Sequence, residues 1–338
     1  MRDIVAFYPY TSNNNISYSV MRKFAESRYH VVDYLDLKKG LYDLSTVRTI
    51  YLNWMENILN EDHKQFLKMA KRKHIKIIWV FHNRVPHDAL DLGYAVDNIR
   101  FLMKICDKIV LYSRDSKKYL IEYDSKMDVR KIYFIPHPNF INDYNSYGDI
   151  KERLSLDSDT FVFSVFGLVR PYKNIELIIE AFERLKETYN CVLLIAGSPL
   201  NRKYGEKLQA LTENRKVVFD FKYINSLEMA SYLELSDVLV QPYDIKSSMN
   251  SGVMIMAFSY GRTVIVSDIA MTNDFDESLI YKYTYESNQE HIDKLHKMME
   301  KAYLDGRENS RNKGRQLFEI VKEKYSKEKT KEALLNIL

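Results

Sequence analysis

The stretch 161-FVFSVFGLVRPYKNIELIIEAFERLKE-187 decides the fold. Phe161 to Phe166 are β-branched, aromatic or small and read as a buried strand. Gly167 opens a turn that carries Arg170 and Lys173, and a helix follows that Asn174 is placed to cap. Ile175, Ile178, Ile179, Phe182 and Leu185 recur at helical spacing, so one face of that helix is apolar. Further on, 237-DVLVQPYDIKSSMNSGVMIMAFSYGRTVIVSD-268 reads as a strand ending near Tyr243, a polar loop, a helix opened by Ser251 and Gly252, and another strand. That helix is apolar on nearly every side and is therefore buried, while its first amides have no acceptor within the helix. Two cations opposite such a helix start suit a phosphate or pyrophosphate, because the backbone donors and the helix dipole both favour negative charge. The second half of the chain reads as a nucleoside diphosphate binder.

Outward from this stretch the same alternation continues. FVFSVFG, CVLLIAG, KVVFDFK, DVLVQPY and TVIVSD are strand-like in the second half. DIVAFYP, TIYLNW, IKIIWVFH, KIVLYS and KIYFIPH are strand-like in the first, with helical patterns between them. Such alternation builds βαβ units around parallel sheets covered on both faces. The segment NFINDYNSYGDI has neither periodicity, so Asn142 to Asp149 is the expected linker. The expected domains are 1–145, 146–315 and a C-terminal helix, 316–338, packing back on the first domain. Ligands of open α/β sheets bind beyond the carboxyl ends of the strands, so paired domains of this kind are expected to face a central cleft.

The chain has 338 residues, 46% apolar and 28% charged, enough for two cores. Its net charge of +4 comes from the first half: residues 1–150 hold 23 Lys and Arg against 18 Asp and Glu, and the remainder holds 27 against 28. No nucleic-acid partner is implied by so even a balance. Cys106 and Cys191 both lie in apolar patterns and read as buried thiols of a reducing, cytoplasmic compartment. The N-terminal apolar run is too short for a signal peptide, and no run of about 18 apolar residues suggests a membrane span. The run KMAKRKHIK lies on a basic helix, around Lys64 to Lys76, that also carries Phe66, Leu67 and Ala70. It is a candidate for peripheral contact with anionic lipid at the inner face of a plasma membrane.

GLVRPYKN, LLIAGSP and the 237–268 stretch, with FHNRVPHD and FIPHPNF in the first half, resemble the motif series of glycosyltransferases of the GT-B fold, closest to glycosyltransferase family 4. The resemblance implies two Rossmann-like, doubly wound parallel-sheet domains facing a cleft. It implies a nucleotide-diphosphate sugar on the second domain, and a glycan or polyprenyl-linked acceptor approaching from the first, as in bacterial surface-polysaccharide assembly. Arg170 and Lys173 match the family's pyrophosphate-holding pair. Gly167, Ser248, Asn250, Ser251, Gly252 and Val253 fall among the donor-binding positions, and Phe221, Lys222 and Tyr223 match the base-contacting loop. Members of this group usually retain anomeric configuration, so the resemblance implies same-face attack with the donor phosphate helping as base. Three positions depart from the family pattern: Ser248 and Met256 stand where a glutamate pair is common, asparagines including Asn13 and Asn14 replace loop glycines, and Asn174 replaces a glycine.

On the acceptor side, His82 and Asn83 end an apolar strand at the edge where ligands bind, with His87 next along the loop and His137 near the linker. A histidine there can bond a sugar hydroxyl or move a proton near neutral pH; the alternative is a histidine ordering its own loop. Asp274 and Asp276 have a metal-binding spacing but sit among turn residues and read as a cap, so neither a metal nor another cofactor is expected. Two other readings share this fold, a nucleotide-sugar epimerase and a non-catalytic partner of another transferase. The epimerase needs acid and base carboxylates, which the sequence does not clearly place.

Overall fold

The computed structural model describes residues 3–10, 16–85 and 92–338, which form two compact units. Asn13, Asn14 and His87 lie outside the described residues. The first unit comprises residues 1–138, 246–250 and 325–338, and the second residues 139–245 and 251–324.

The first unit runs β1 (Ile4–Tyr8), α1 (Ile16–Glu26), β2 (His30–Asp33), α2 (Tyr34–Lys38) and β3 (Val47–Asn53). It continues through α3 (Glu61–Arg72), β4 (Lys76–Val80), α4 (Leu92–Ile105), β5 (Lys108–Leu111), α5 (Lys117–Tyr123) and β6 (Ile132–Phe134). All pairings are parallel, in the order β2-β1-β3-β4-β5-β6. The central strands are almost wholly buried, as expected for a sheet with helices on both faces.

The second unit runs α6 (Ile150–Arg153), β7 (Phe161–Phe166), α7 (Ile175–Glu183), β8 (Cys191–Ala196), α8 (Arg202–Gln209) and β9 (Val217–Asp220). Then come α9 (Met229–Leu235), β10 (Val238–Gln241), α10 (Gly252–Ser259), β11 (Thr263–Ser267), β12 (Tyr281–Tyr283) and α11 (Asn288–Lys324). Its sheet is also parallel, in the order β12-β11-β10-β7-β8-β9. Sequence order therefore reverses between β7 and β10, the kind of switch point at which open α/β sheets bind ligands. Ile175, Ile178, Ile179, Phe182 and Leu185 are buried in one core with β7 and β8, as their spacing predicts.

Two expected boundaries move. The break between units falls at Pro138/Asn139 and not within 142–149, because the start of that segment is tied to the second unit. Asn139 Nδ2 donates to Val321 O at 3.0 Å, Phe140 N to Ser259 Oγ at 2.9 Å, and the Tyr144 ring stacks on Tyr260. The tail is likewise not one helix from 316: α11, which is broken at Gly306 (φ 81°), continues to Lys324 in the second unit. A separate helix α12 (Lys327–Ile337), capped by Ser326 Oγ on Lys329 N, belongs to the first. There Thr49 Oγ1 and Lys76 Nζ donate to Leu338 O, and Thr330 Oγ1 to Pro136 O.

The basic helix α3 also departs from expectation. Phe66, Leu67 and Ala70 are buried in the unit's own core, so they are not available to a lipid surface. Lys64 pairs with Glu61 and lies over the Tyr94 and Phe101 rings, and Lys71 pairs with Asp107. Among the described residues, no helix is long and apolar enough to cross a membrane.

Candidate functional site

The cationic turn is shaped by a close approach of two loops. Gly167 (φ 91°) ends β7 and Gly197 (φ 138°) ends β8, and a Cβ at Gly197 would lie 1.7 Å from the Gly167 carbonyl oxygen. Only glycine fits there. The loops then pair, Val169 N donating to Ser198 O at 2.9 Å, and Arg170 Nη1 bonds Val169 O and Ser198 O at 3.0 Å each.

Lys173 closes the short 3-10 turn Pro171–Lys173. Its Nζ donates to Phe166 O, at the carboxyl end of β7, at 3.1 Å. A cavity of about 10 Å³, room for one water, lies beside it and is lined also by Gln241, Tyr243 and Val253. Lys173 is therefore at the β7/β10 switch point and at the first turn of α10. Burial pushes its pKa down to about 8, and the neighbouring Arg170 charge adds to the effect. Like charges held together in a half-dry site favour an anion between them.

Asn174 is not the expected cap. It sits in the left-handed region (φ 54°) with no capping bond, and its Nδ2 reaches across to Pro242 O at 2.6 Å. Asparagine tolerates that conformation better than other non-glycine residues, which accounts for its standing in place of a glycine.

The helix α10 begins as expected. Ser251 Oγ accepts from Met254 N at 3.0 Å and also meets Tyr243 OH at 2.7 Å and Gln241 Oε1 at 3.0 Å. The Ser251 hydroxyl is thus committed to the fold, and the donors left for a ligand are the amides of Gly252 and Val253. Met254 to Ser259 are all buried.

Ser248 and Asn250, expected on the donor side, are instead part of the first unit. Arg84 N donates to Ser247 O at 2.9 Å, and Asn250 Nδ2 to His82 O at 2.7 Å. His82 follows β4, its ring edge-on to Trp54 at 5.4 Å and to Tyr112 at 5.8 Å, beside Asn83. The buried His137 has Nδ1 2.9 Å from Pro138 O, and desolvation lowers its pKa to about 4, so it is neutral at physiological pH.

In the loop after β9, Lys222 Nζ is paired with Glu228, Phe221 packs against Phe219 and Gly205, and Tyr223 is 75% exposed. Of these three, Tyr223 offers a free surface and Lys222 does not. Asp276 caps a short turn through Ser278 N, as its turn context suggests. Gln241 and Tyr243 were missed by sequence reasoning. The signal was there in Gln241, a polar residue at the last position of a fully buried strand.

Residues 147–317, just over half of the chain, match the family model described as glycosyl transferases group 1. A Salmonella typhimurium protein, lipopolysaccharide 1,2-N-acetylglucosaminetransferase, is 22% identical over 181 residues. That match covers 50% of this chain and 46% of the relative, so the chain aligns with about half the length of the relative. Among solved structures, sucrose-phosphate synthase of Thermosynechococcus elongatus superposes with a TM-score of 0.76 at 14% identity, over 99% of this chain and 98% of that one. Anabaena HepE in complex with UDP gives 0.74 at 11% identity, over 100% and 99%. The two parallel six-stranded sheets are those of the GT-B fold, and the chain belongs to the glycosyl transferases group 1 family.

Proposed function

We propose that this chain transfers a hexosyl group from a nucleoside diphosphate sugar to a glycan or lipid-linked acceptor, in the assembly of a bacterial surface polysaccharide or related glycoconjugate. The observation that carries the proposal is Lys173, held beside Arg170 at the β7/β10 switch point and against the first turn of α10. Cleaving the sugar–phosphate bond leaves a diphosphate whose charge must be met as it develops. Two fixed cations and the amides of Gly252 and Val253 meet it without reorganising, which is the largest single contribution in many such reactions. In this reading the cations do the work a divalent metal does in other transferases, so no metal is needed. Retention of anomeric configuration follows from the family resemblance: the acceptor attacks the face the diphosphate leaves, and a phosphate oxygen accepts its proton.

The donor is supported by the solved relatives, one bound to UDP and glucose, and the pathway by the name of the Salmonella relative. On the acceptor side, His82 and Asn83 stand at the carboxyl edge of the first sheet, where a sugar hydroxyl would be bonded. The test is thermal-shift screening with UDP, GDP and their sugars, followed by assay of nucleotide release with and without a chelator. Stabilisation by one nucleotide series and chelator-resistant release is expected; a protein that binds none of them removes the proposal.

A second reading is favoured by one feature. Ser248 and Met256 occupy the positions of the common glutamate pair, and both side chains are buried. A chain that binds the nucleotide sugar without releasing nucleotide, alone or with acceptor, would be a non-catalytic partner of another transferase.

A further inference from the structure

Within the second unit, on α11 and the loops packed against it, lies a groove of about 900 Å³ that no part of the donor site uses. Its geometry is set by Gly314. A Cβ at that position would lie 2.1 Å from Gly261 O, so the helix rests directly on the backbone of Gly261 and Arg262. Arg311, Arg315 and Phe318, spaced by four and three, then share one helical face and line the groove. Tyr144 and Tyr260, with ring centroids 6.1 Å apart, and Arg262 line it too, and Glu234 and Glu319 add carboxylates.

The three guanidinium groups are unequally engaged. Arg262 is largely committed to backbone: Nε bonds Leu233 O at 2.9 Å, Nη2 bonds Glu234 O at 2.8 Å, and Nη1 bonds Gly261 O at 3.1 Å and Tyr260 O at 3.3 Å. Arg311 reaches Asp237 at 3.8 Å, and that carboxylate is already held by Arg307 at 2.8 and 3.2 Å. Arg315 bonds the Asn312 amide oxygen and, among the described residues, pairs with no carboxylate. Arg311 and Arg315 are therefore like charges at a four-residue helical spacing, which is unfavourable unless an anion is shared between them. Burial, chiefly, and the Arg311 charge lower the pKa of Arg262, while Asp237 and Glu234 act against them.

We infer that this groove is a second saccharide site, which takes a pyranose bearing one acidic group. The guanidinium forks of Arg311 and Arg315 match a carboxylate or phosphate, the part-exposed ring of Tyr260 offers a face to a sugar ring, and Glu234, which already accepts from Ser146 Oγ at 2.7 Å, and Glu319, which pairs with Lys322, keep further lone pairs for its hydroxyls. Three guanidiniums against two carboxylates suit a singly charged ligand better than a nucleoside diphosphate. The volume lies within the range of small-molecule sites, about 300 to 1,000 Å³. An acidic residue of a glycan and a sugar phosphate share this chemistry.

The experiment is calorimetric titration of the full chain with glucuronic acid, glucose 1-phosphate and glucose, repeated on the Arg311→Gln/Arg315→Gln variant. One or both acidic sugars should bind at least tenfold more tightly than glucose, and the variant should lose at least tenfold of that affinity. The tighter acid identifies the source, carboxylate or phosphate. Both side chains are exposed, so an unchanged melting temperature is expected, and Arg315→Gln alone serves if the double variant does not fold. Acidic sugars that fail to bind, that bind no better than glucose, or that bind the variants as well as the wild type overturn the inference.

Discussion

Lys173 is a charged group with a built-in pH response. Its pKa in the folded chain, about 8, lies below its ordinary value of 10.5. Between those values the folded protein has released a proton that the unfolded chain still holds, so stability rises with pH there, and the cost of the buried charge is fully present below pH 8. Wild-type stability should therefore climb between pH 8 and 10.5 relative to Lys173→Met, as measured by denaturant unfolding across that range; parallel curves would contradict the assignment. For a nucleotide ligand the sign reverses, since only the protonated amine attracts it: affinity should fall above pH 8 in the wild type and stay flatter in the variant. Removing the amine altogether by Lys173→Ala should weaken nucleotide binding by about 1.5 to 3 kcal/mol, or about 10- to 150-fold, by calorimetry. Gly197→Ala belongs to the same scale. Its methyl has no room beside the Gly167 carbonyl, so a loss of about 1 to 3 kcal/mol in stability is expected, with weaker nucleotide binding because the Arg170 loop must move. At this scale the residue types of the cationic turn were legible in the sequence, but their partners were not. The composition of YKN points to a cap, whereas the left-handed Asn174 reaches for Pro242 O, a contact made across a long stretch of chain.

Among the elements, α10 shows how a sequence can declare a helix and hide its use. Its all-round apolar character announces burial, and Ser251 announces the N-terminus. That Tyr243 and Gln241 share the Ser251 hydroxyl, tying the end of β10 to the cap, depends on tertiary placement alone. Ser251→Ala should cost about 1 kcal/mol, a fall of about 2 to 4 °C in melting temperature, and should weaken nucleotide binding as the first turn frays. A variant with unchanged melting and affinity would show that the cap is dispensable. Helix α3 carries the opposite lesson. Its basic run suggests a lipid-facing surface because periodicity reveals an apolar stripe but not what covers it, and Phe66, Leu67 and Ala70 are buried within their own unit, Phe66 edge-on to Tyr34.

For the whole molecule, alternation of strand-like and helix-like segments was enough to expect two parallel-sheet domains, because strands buried on both faces are written as continuous apolar runs. Strand order and membership were not legible. Pairing β7 with β10 across α7 to α9, or placing Lys246–Asn250 and Tyr325–Leu338 with the first unit, rests on contacts distant in sequence, which no local pattern encodes. A chain cut after Lys324 loses α12, the acceptors that Thr49 and Lys76 use, and the bond from Thr330 to Pro136. Hydrogen exchange should then quicken in β3 and β4 while the second sheet keeps its protection; uniform protection in both would refute the division.

This membership also bears on how the chain is met while it is being made. Residues 325–338 are made after every strand of both sheets, yet their helix belongs to the unit whose strands are made first. The residues of the second unit run to Lys324, whereas the unit whose strands are made first also takes in residues 325–338, made after all of them. A holdase chaperone with access to nascent chains should engage the N-terminal half of this protein longer than the half made after it.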